Sequence, residues 1–216
     1  VPALEEERPS AVRDALAGLR TEALITSMDA PLGRTVGNAL EVAEAIDVMR
    51  GAGPADLVGL CLALAERMLV GAGLAGDADE AGRLARHALQ SGAALERFAA
   101  MVEAQGGDPR VVEDPTRLPV APGRDLLEAP RGGFLVSLDA EAVGQAAVAL
   151  GAGRSQAGDA VDPAVGLVLL AKPGDAVSAG QPLVEIHSRE EAGRDQARAR
   201  LASARIRIRA ARGGGR

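Results

Sequence analysis

Apolar residues recur along this chain with two different periods, and the change from one to the other divides it. Between residues 38 and 105 they fall at helical spacing. Asn38 is placed to cap a helix with Ala39, Val42, Ile46 and Met49 on one face, and Gly51 and Gly53 stop it. Pro54 suits the first turn of a second helix, whose stripe is Leu57, Leu60, Leu64 and Met68. Asp77 or Asp79 starts a third, with Ala81, Leu84 and Leu89. Ser91 caps a fourth, with Leu95, Phe98 and Met101, ended by Gly106 and Gly107. Ahead of this run, Ala23-Leu24-Ile25-Thr26 reads as a short buried strand and Asp29 to Gly33 as a turn.

Beyond residue 106 the punctuation thickens. Pro109, Pro115, Pro119, Pro122 and Pro130 mark an irregular crossing. Short apolar runs follow at 133–138, 165–170 and 182–186, which predict strands, with a helix near 140–150 and a polar helix over 188–204. The end, Ile206 to Arg216, is basic and glycine-rich and is expected to be loose. No internal repeat is visible.

Composition narrows the chemistry. The 216 residues are 47% hydrophobic, enough for a packed core, and the formal net charge is −6. A phosphate-backbone reader needs a basic surface, so nucleic acid is not an expected partner. Trp and Tyr are absent and Phe98 and Phe134 are the only aromatics, which excludes base-stacking platforms. Cys61 is the single cysteine, so no internal disulfide forms, and its apolar neighbours predict a buried thiol. His87 and His187 are too few for a Cys/His metal cluster. Lys172 is the only lysine. No apolar run reaches the roughly 18 residues of a membrane span. Residues 1–10 are acidic without an apolar secretory core, so a cytoplasmic location is expected.

Two segments carry a resemblance. The run Ala23 to Ile46, with the string Pro31-Leu-Gly-Arg-Thr-Val-Gly-Asn-Ala-Leu-Glu41, closely resembles thymidine and pyrimidine-nucleoside phosphorylases. So do Leu150-Gly-Ala-Gly-Arg154 with Asp159 and Asp162, and Lys172-Pro-Gly-Asp through Pro182-Leu183, which resemble that family's C-terminal domain. The resemblance implies an enzyme that cleaves a pyrimidine nucleoside with phosphate, giving free base and pentose 1-phosphate. It implies phosphate as co-substrate, no organic cofactor, a bound monovalent cation such as potassium, and a homodimer when intact. In the family a Lys-His-Ser-Thr-Gly-Gly stretch cradles phosphate, and an Arg, a Ser and a Lys hold the base. That stretch does not occur here, so catalytic residues are expected to lie outside this chain, which alone should be inactive.

The implied fold is mixed α/β. Residues 1–20 are a poorly matching leader. Residues 21–106 are part of a larger α/β domain, one strand plus helices. Residues 107–125 are a linker, residues 126–204 a small α+β hammerhead-like (sandwich-hybrid) domain, and residues 205–216 a loose basic tail. The poor match at both ends leads to the expectation of an interrupted gene or truncated product.

Residue by residue, the resemblance places a partial monovalent-cation site at the carbonyls of Leu32 and Thr35 and the carboxylate of Glu44, hard oxygen donors suited to such an ion. Spacing alone reads Glu44 as a solvated helix residue near Glu41. Arg154, in a glycine-rich loop, is a candidate to fold over substrate and pair with phosphate; the plainer reading is a surface turn bonded to Asp159 or Asp162. Asp159 and Asp162 themselves suit turn chemistry, and His187 a structural role. A second reading of the whole is a non-catalytic biotinyl/lipoyl-like sandwich or interaction module, from the Gly174 to Leu183 strand–turn pattern. It needs an acceptor lysine at a hairpin tip, and Lys172 lacks those flanking residues.

Overall fold

A computed structural model describes residues 22–203 and 206–210. The leader at 1–20 and the end of the basic tail lie outside the described residues. The fold is mixed α/β, and the chain divides into two compact units: residues 22–27 with Asp47–Pro109, and Met28–Ile46 with the residues from Arg110 onward.

The first unit is helical. Helix α1 (Asn38–Met49) ends in it. Helices α2 (Ala55–Gly71), α3 (Ala78–Gln90) and α4 (Ala93–Ala104) follow. Asp77 caps α3 by accepting from Glu80 N, while Glu80 reaches back to Gly76 N, so each satisfies an orphan amide of the first turn. Small buried residues Ala81, Gly82 and Ala85 let α3 approach its neighbours closely. No residue of α2 is buried, although its sequence is largely apolar. The expected core stripe therefore holds only in part: Leu64 and Met68 are exposed. Cys61 is also exposed, against the buried thiol read from its neighbours.

Ala23–Thr26, expected as a strand, is not one. A strand needs a partner ladder for its amides and carbonyls, and among the described residues this unit contains none.

The second unit holds two antiparallel sheets. One has the order β1-β4-β6-β2, built from Thr35–Val36, Gly166–Leu169, Pro182–Ser188 and Gly123–Glu128. The other runs β5-β3-β7, from Ala176–Val177, Gly133–Ser137 and Arg207–Arg209. Helices α5 (Ala140–Leu150) and α6 (Glu191–Ser203) join them around one core that includes Leu135, Val143, Leu167, Ile186, Ala197 and Leu201. Strand β6 is buried over most of its length: Leu183, Val184 and Ile186 enter the core, and His187 and Ser188 are buried with them.

Three expected boundaries move. Residues 123–128 sit partly inside the expected linker, yet they form β2, with Gly123 opposite Ser188 and Leu127 opposite Val184. The alternation of half-buried and exposed residues along this strand was masked by Arg124, Asp125 and the flanking prolines. The expected loose tail contributes β7, in which Ile208 is buried between exposed Arg207 and Arg209 and pairs with Leu135. Finally, residues 28–46, assigned from sequence to the first domain, belong to the second unit, because Thr35 and Val36 pair with Val168 and Leu167.

Candidate functional site

The turn from Pro31 to Gly37 is the part of the fold most tightly specified by its sequence. Gly37 has φ 141, and a Cβ there would lie 2.6 Å from Val165 O. A Cβ on Gly166 would in turn meet Val36 O at 2.4 Å. Two glycines from the two family-like segments thus allow their backbones to touch. Arg34 O accepts from Leu169 N at 2.6 Å, and Arg34 Nη1 donates to Leu169 O at 3.2 Å. The exposed guanidinium stem is thereby fixed along the strand edge.

Glu44 projects from α1 back onto this turn and is buried. Its Oε1 accepts from Arg34 N at 2.7 Å, and its Oε2 accepts from the Thr35 hydroxyl at 3.0 Å. The solvated reading of Glu44 is therefore replaced by a buried carboxylate held by neutral donors. Glu41 is the exposed neighbour, and it accepts from Gly37 N at 2.8 Å to close the helix start. Asn38, expected as the cap, does something else: its side-chain amide donates to Ala152 O at 2.9 Å. That bond ties the helix bearing Glu44 to the glycine-rich loop after α5.

Sequence reasoning missed the role of Lys172. Its ammonium donates to Pro31 O at 2.8 Å and Gly33 O at 2.6 Å, two carbonyls that flank Leu32. Asp175 accepts from Lys172 N at 2.9 Å and holds the turn from which this side chain departs. The amine of a carrier lysine projects into solvent for acylation; this one is committed to backbone carbonyls.

Arg154 lies on the loop that follows α5. Gly151 ends that helix at φ 97. Arg154 Nε donates to Asp159 O at 3.0 Å, and Asp159 Oδ2 accepts from Ser155 N and Gln156 N. This is the surface turn that the plainer reading described. Asp162 accepts from Ala164 N and pairs with Arg189 at 2.5 Å. The hydrogen bond from Arg189 is the main reason the Asp162 carboxyl is held below its ordinary value of 3.8. Beside the loop, a cleft of about 530 Å³ is lined by Gly151, Ser155, Asp159, Asp162, Arg189 and Gln196; Arg154 is not among its lining residues. Thr35 is thus bonded to Glu44, Leu32 stands exposed on the same turn, and Arg154 stands on a separate loop joined to the Glu44 helix through Asn38.

His187 is buried in β6, and its Nε2 lies 2.8 Å from Glu185 Oε1, close but misaligned for a hydrogen bond. Glu185 Oε1 is also 3.2 Å from Arg124 Nε on β2. Burial first, then the Arg124 charge, pushes the imidazole below 6.5, and Glu185 only partly opposes them. Among the described residues no group of three or more His, Cys, Asp or Glu side chains is placed to hold a metal ion, so a cation at this turn would rely mainly on carbonyl oxygens. No described helix is long and apolar enough to cross a membrane.

Comparison with known proteins places both units. Residues 134–208 match the pyrimidine nucleoside phosphorylase C-terminal domain, and residues 4–95 match the glycosyl transferase family a/b domain. The second match reaches back into the segment read as a poorly matching leader. The chain is 47% identical over 174 residues to a pyrimidine-nucleoside phosphorylase of Geobacillus stearothermophilus, covering 81% of this chain and 40% of that protein. It is 44% identical, with the same coverage, to a pyrimidine-nucleoside phosphorylase of Staphylococcus aureus strain USA300. The chain therefore spans about 40% of the length of the curated relatives it matches. With residues 4–95 and 134–208 matching two domains and 174 residues 47% identical to one such protein, the chain belongs to the pyrimidine-nucleoside phosphorylase family.

Proposed function

We propose that this chain supplies the Pro31–Glu44 turn and the C-terminal part of an enzyme that phosphorolyses pyrimidine nucleosides. In that reaction a phosphate oxygen bonds to C1′ of the pentose as the C1′–N1 bond breaks. The bonding pair leaves with the base, which takes up a proton, and the products are free base and pentose 1-phosphate. Holding phosphate against C1′ and stabilising charge on the departing base account for most of the acceleration in such a step. The single lysine is already bonded to two carbonyls, and no Lys-His-Ser-Thr-Gly-Gly stretch is present. The phosphate cradle and base clamp are accordingly assigned to the share of the relatives that this chain does not span.

Two contributions remain for these residues. Glu44, with the carbonyls of Leu32 and Thr35, offers hard oxygen donors to a monovalent cation such as potassium. Its carboxylate suits that role because the partners it already has, Arg34 N and the Thr35 hydroxyl, are neutral. A cation bound there would balance the buried charge and stiffen the turn. Arg154 uses Nε to brace its own loop, and its two terminal nitrogens are the fork through which a guanidinium pairs with a phosphate.

The observation that carries this reading is the buried Glu44 on a turn that lies inside the segment matching the glycosyl transferase family a/b domain. Phosphorolysis of thymidine and of uridine, followed as free base with and without potassium, tests it. The chain alone is expected to release no base. Release by the chain alone would place a complete site within these residues and overturn the assignment.

A further inference from the structure

Of the 24 lysine and arginine residues in this chain, Lys172 is the only lysine. It stands where the two side chains differ most in what they can hold. An ammonium is a compact charge with three donors; a guanidinium is a planar fork that matches carboxylate and phosphate. The Lys172 ammonium donates to two carbonyls of one tight turn, Pro31 O at 2.8 Å and Gly33 O at 2.6 Å. The Leu32 residue lies between them, and Gly33 turns the chain there with φ 68. Hard carbonyl oxygens gathered on one compact positive charge are also how a hard metal cation is held.

The lysine reaches this turn from a fixed base. Asp175 Oδ2 accepts from Lys172 N at 2.9 Å, and Asp175 N donates to Lys172 O at 3.0 Å. Strand β3 fixes the same base, because Leu135 N donates to Asp175 O at 2.9 Å and Leu135 O accepts from Gly174 N at 2.8 Å. The Pro31–Thr35 turn is thus gripped by two opposite charges. Lys172 takes the carbonyls of Pro31 and Gly33, and the Glu44 carboxylate takes the Arg34 amide at 2.7 Å and the Thr35 hydroxyl at 3.0 Å. Hydrogen bonds to a charged partner are roughly twice as strong as neutral ones, so water replaces neither grip without loss.

We propose that Lys172 is a tethered cation: its ammonium fills a carbonyl seat formed by Pro31 and Gly33, and through that seat it positions Leu32, Thr35 and Glu44. It is a positioning residue, acting through the turn it holds. The seat takes a small monovalent cation of the ammonium type and excludes a guanidinium. Its bearing on ion binding rests on the reading of Glu44 as a cation ligand; the seat itself does not.

Amide hydrogen exchange followed by NMR on the full chain tests this. The Arg34 amide reports its bond to Glu44, and the amides of the β2–β6 ladder report whether the second unit stays folded. Lys172→Ala is expected to lower protection at Arg34 by roughly tenfold or more while the ladder amides keep theirs. Methylammonium, a free copy of the lost head group, is expected to restore the parent's protection in Lys172→Ala, and choline at the same ionic strength is not. Lys172→Arg keeps the charge and is expected to exchange like Lys172→Ala. Lys172→Met, which keeps the apolar stem, repeats the Arg34 measurement should Lys172→Ala lose the ladder. Parental protection in the alanine or methionine variant, equal rescue by choline, no rescue by methylammonium, or parental protection in Lys172→Arg would overturn the proposal. Potassium is titrated separately into the parent and read as a shift of the Glu44 carboxyl resonance: no shift counts against the cation reading of Glu44 and leaves the Lys172 seat standing.

Discussion

Gly37 shows how much a single residue decides in this turn. Its φ of 141 and the 2.6 Å approach to Val165 O leave no room for a side chain. Gly37→Ala is expected to cost about 1–3 kcal/mol from backbone strain, with more from the displaced strand. A lowered denaturant midpoint at unchanged slope would show it, and an unchanged midpoint would refute the strain argument. His187 makes a second prediction at this scale. Its folded value lies below 6.5, so between that value and 6.5 the unfolded chain binds the extra proton. Stability from this group is full above pH about 6.5 and is lost as pH falls through the folded value. Melting temperatures from pH 8 to pH 5 should fall less steeply for His187→Asn than for the parent; parallel curves would mean that His187 does not carry this dependence. Lys172 and Glu44 were the residues sequence reading handled least well. The partner carbonyls of Lys172 lie 139 and 141 positions away, and no local pattern reports a bond across that distance. The burial of Glu44 was not read either: the resemblance gave its carboxylate only as a cation ligand, and spacing alone favours solvent.

Among elements, helices with strong local signals appeared where the sequence placed them. Asp77 and Asp139 cap α3 and α5 through bonds to the third residue on, and glycines end α1 and α5. Strands fared worse at the edges. Arg207-Ile-Arg209 was taken by composition as a tail, although its alternation has the period of a strand. Two flanking charges outweighed one inward isoleucine in that reading. Ile208 is 4% exposed against Leu135, so Ile208→Ala is expected to destabilise the second unit by about 2–5 kcal/mol. Thermal melts would detect it, and a change under 1 kcal/mol would mean that β7 is not part of the cooperative core. The reverse error occurred at Ala23–Thr26, where an apolar run lacked a partner. Apolar content makes a segment fit for burial, but pairing makes it a strand.

For the whole molecule, the order of helices, proline-rich crossing and short strands was legible from periodicity and punctuation. Family membership was legible from the strings Pro31–Glu41 and Lys172–Leu183, and matching over 81% of the chain supports it. The grouping of segments was not legible. Residues 28–46 precede the helical run yet fold with the second unit, because Thr35 and Val36 find their ladder on β4 and Lys172 grips the turn. The sequence by itself determined the order of the helices and the glycines that stop them, and which chemistry the scarcity of lysine and aromatic residues removes. These are set within a turn or two of each residue, by dihedral limits and capping bonds. Only the tertiary structure decided which strands exist, where Glu44 and Lys172 point, and which face of α2 stays uncovered. Each of those depends on a partner far away in the chain, and the free energy of pairing or burial exists only once that partner has arrived.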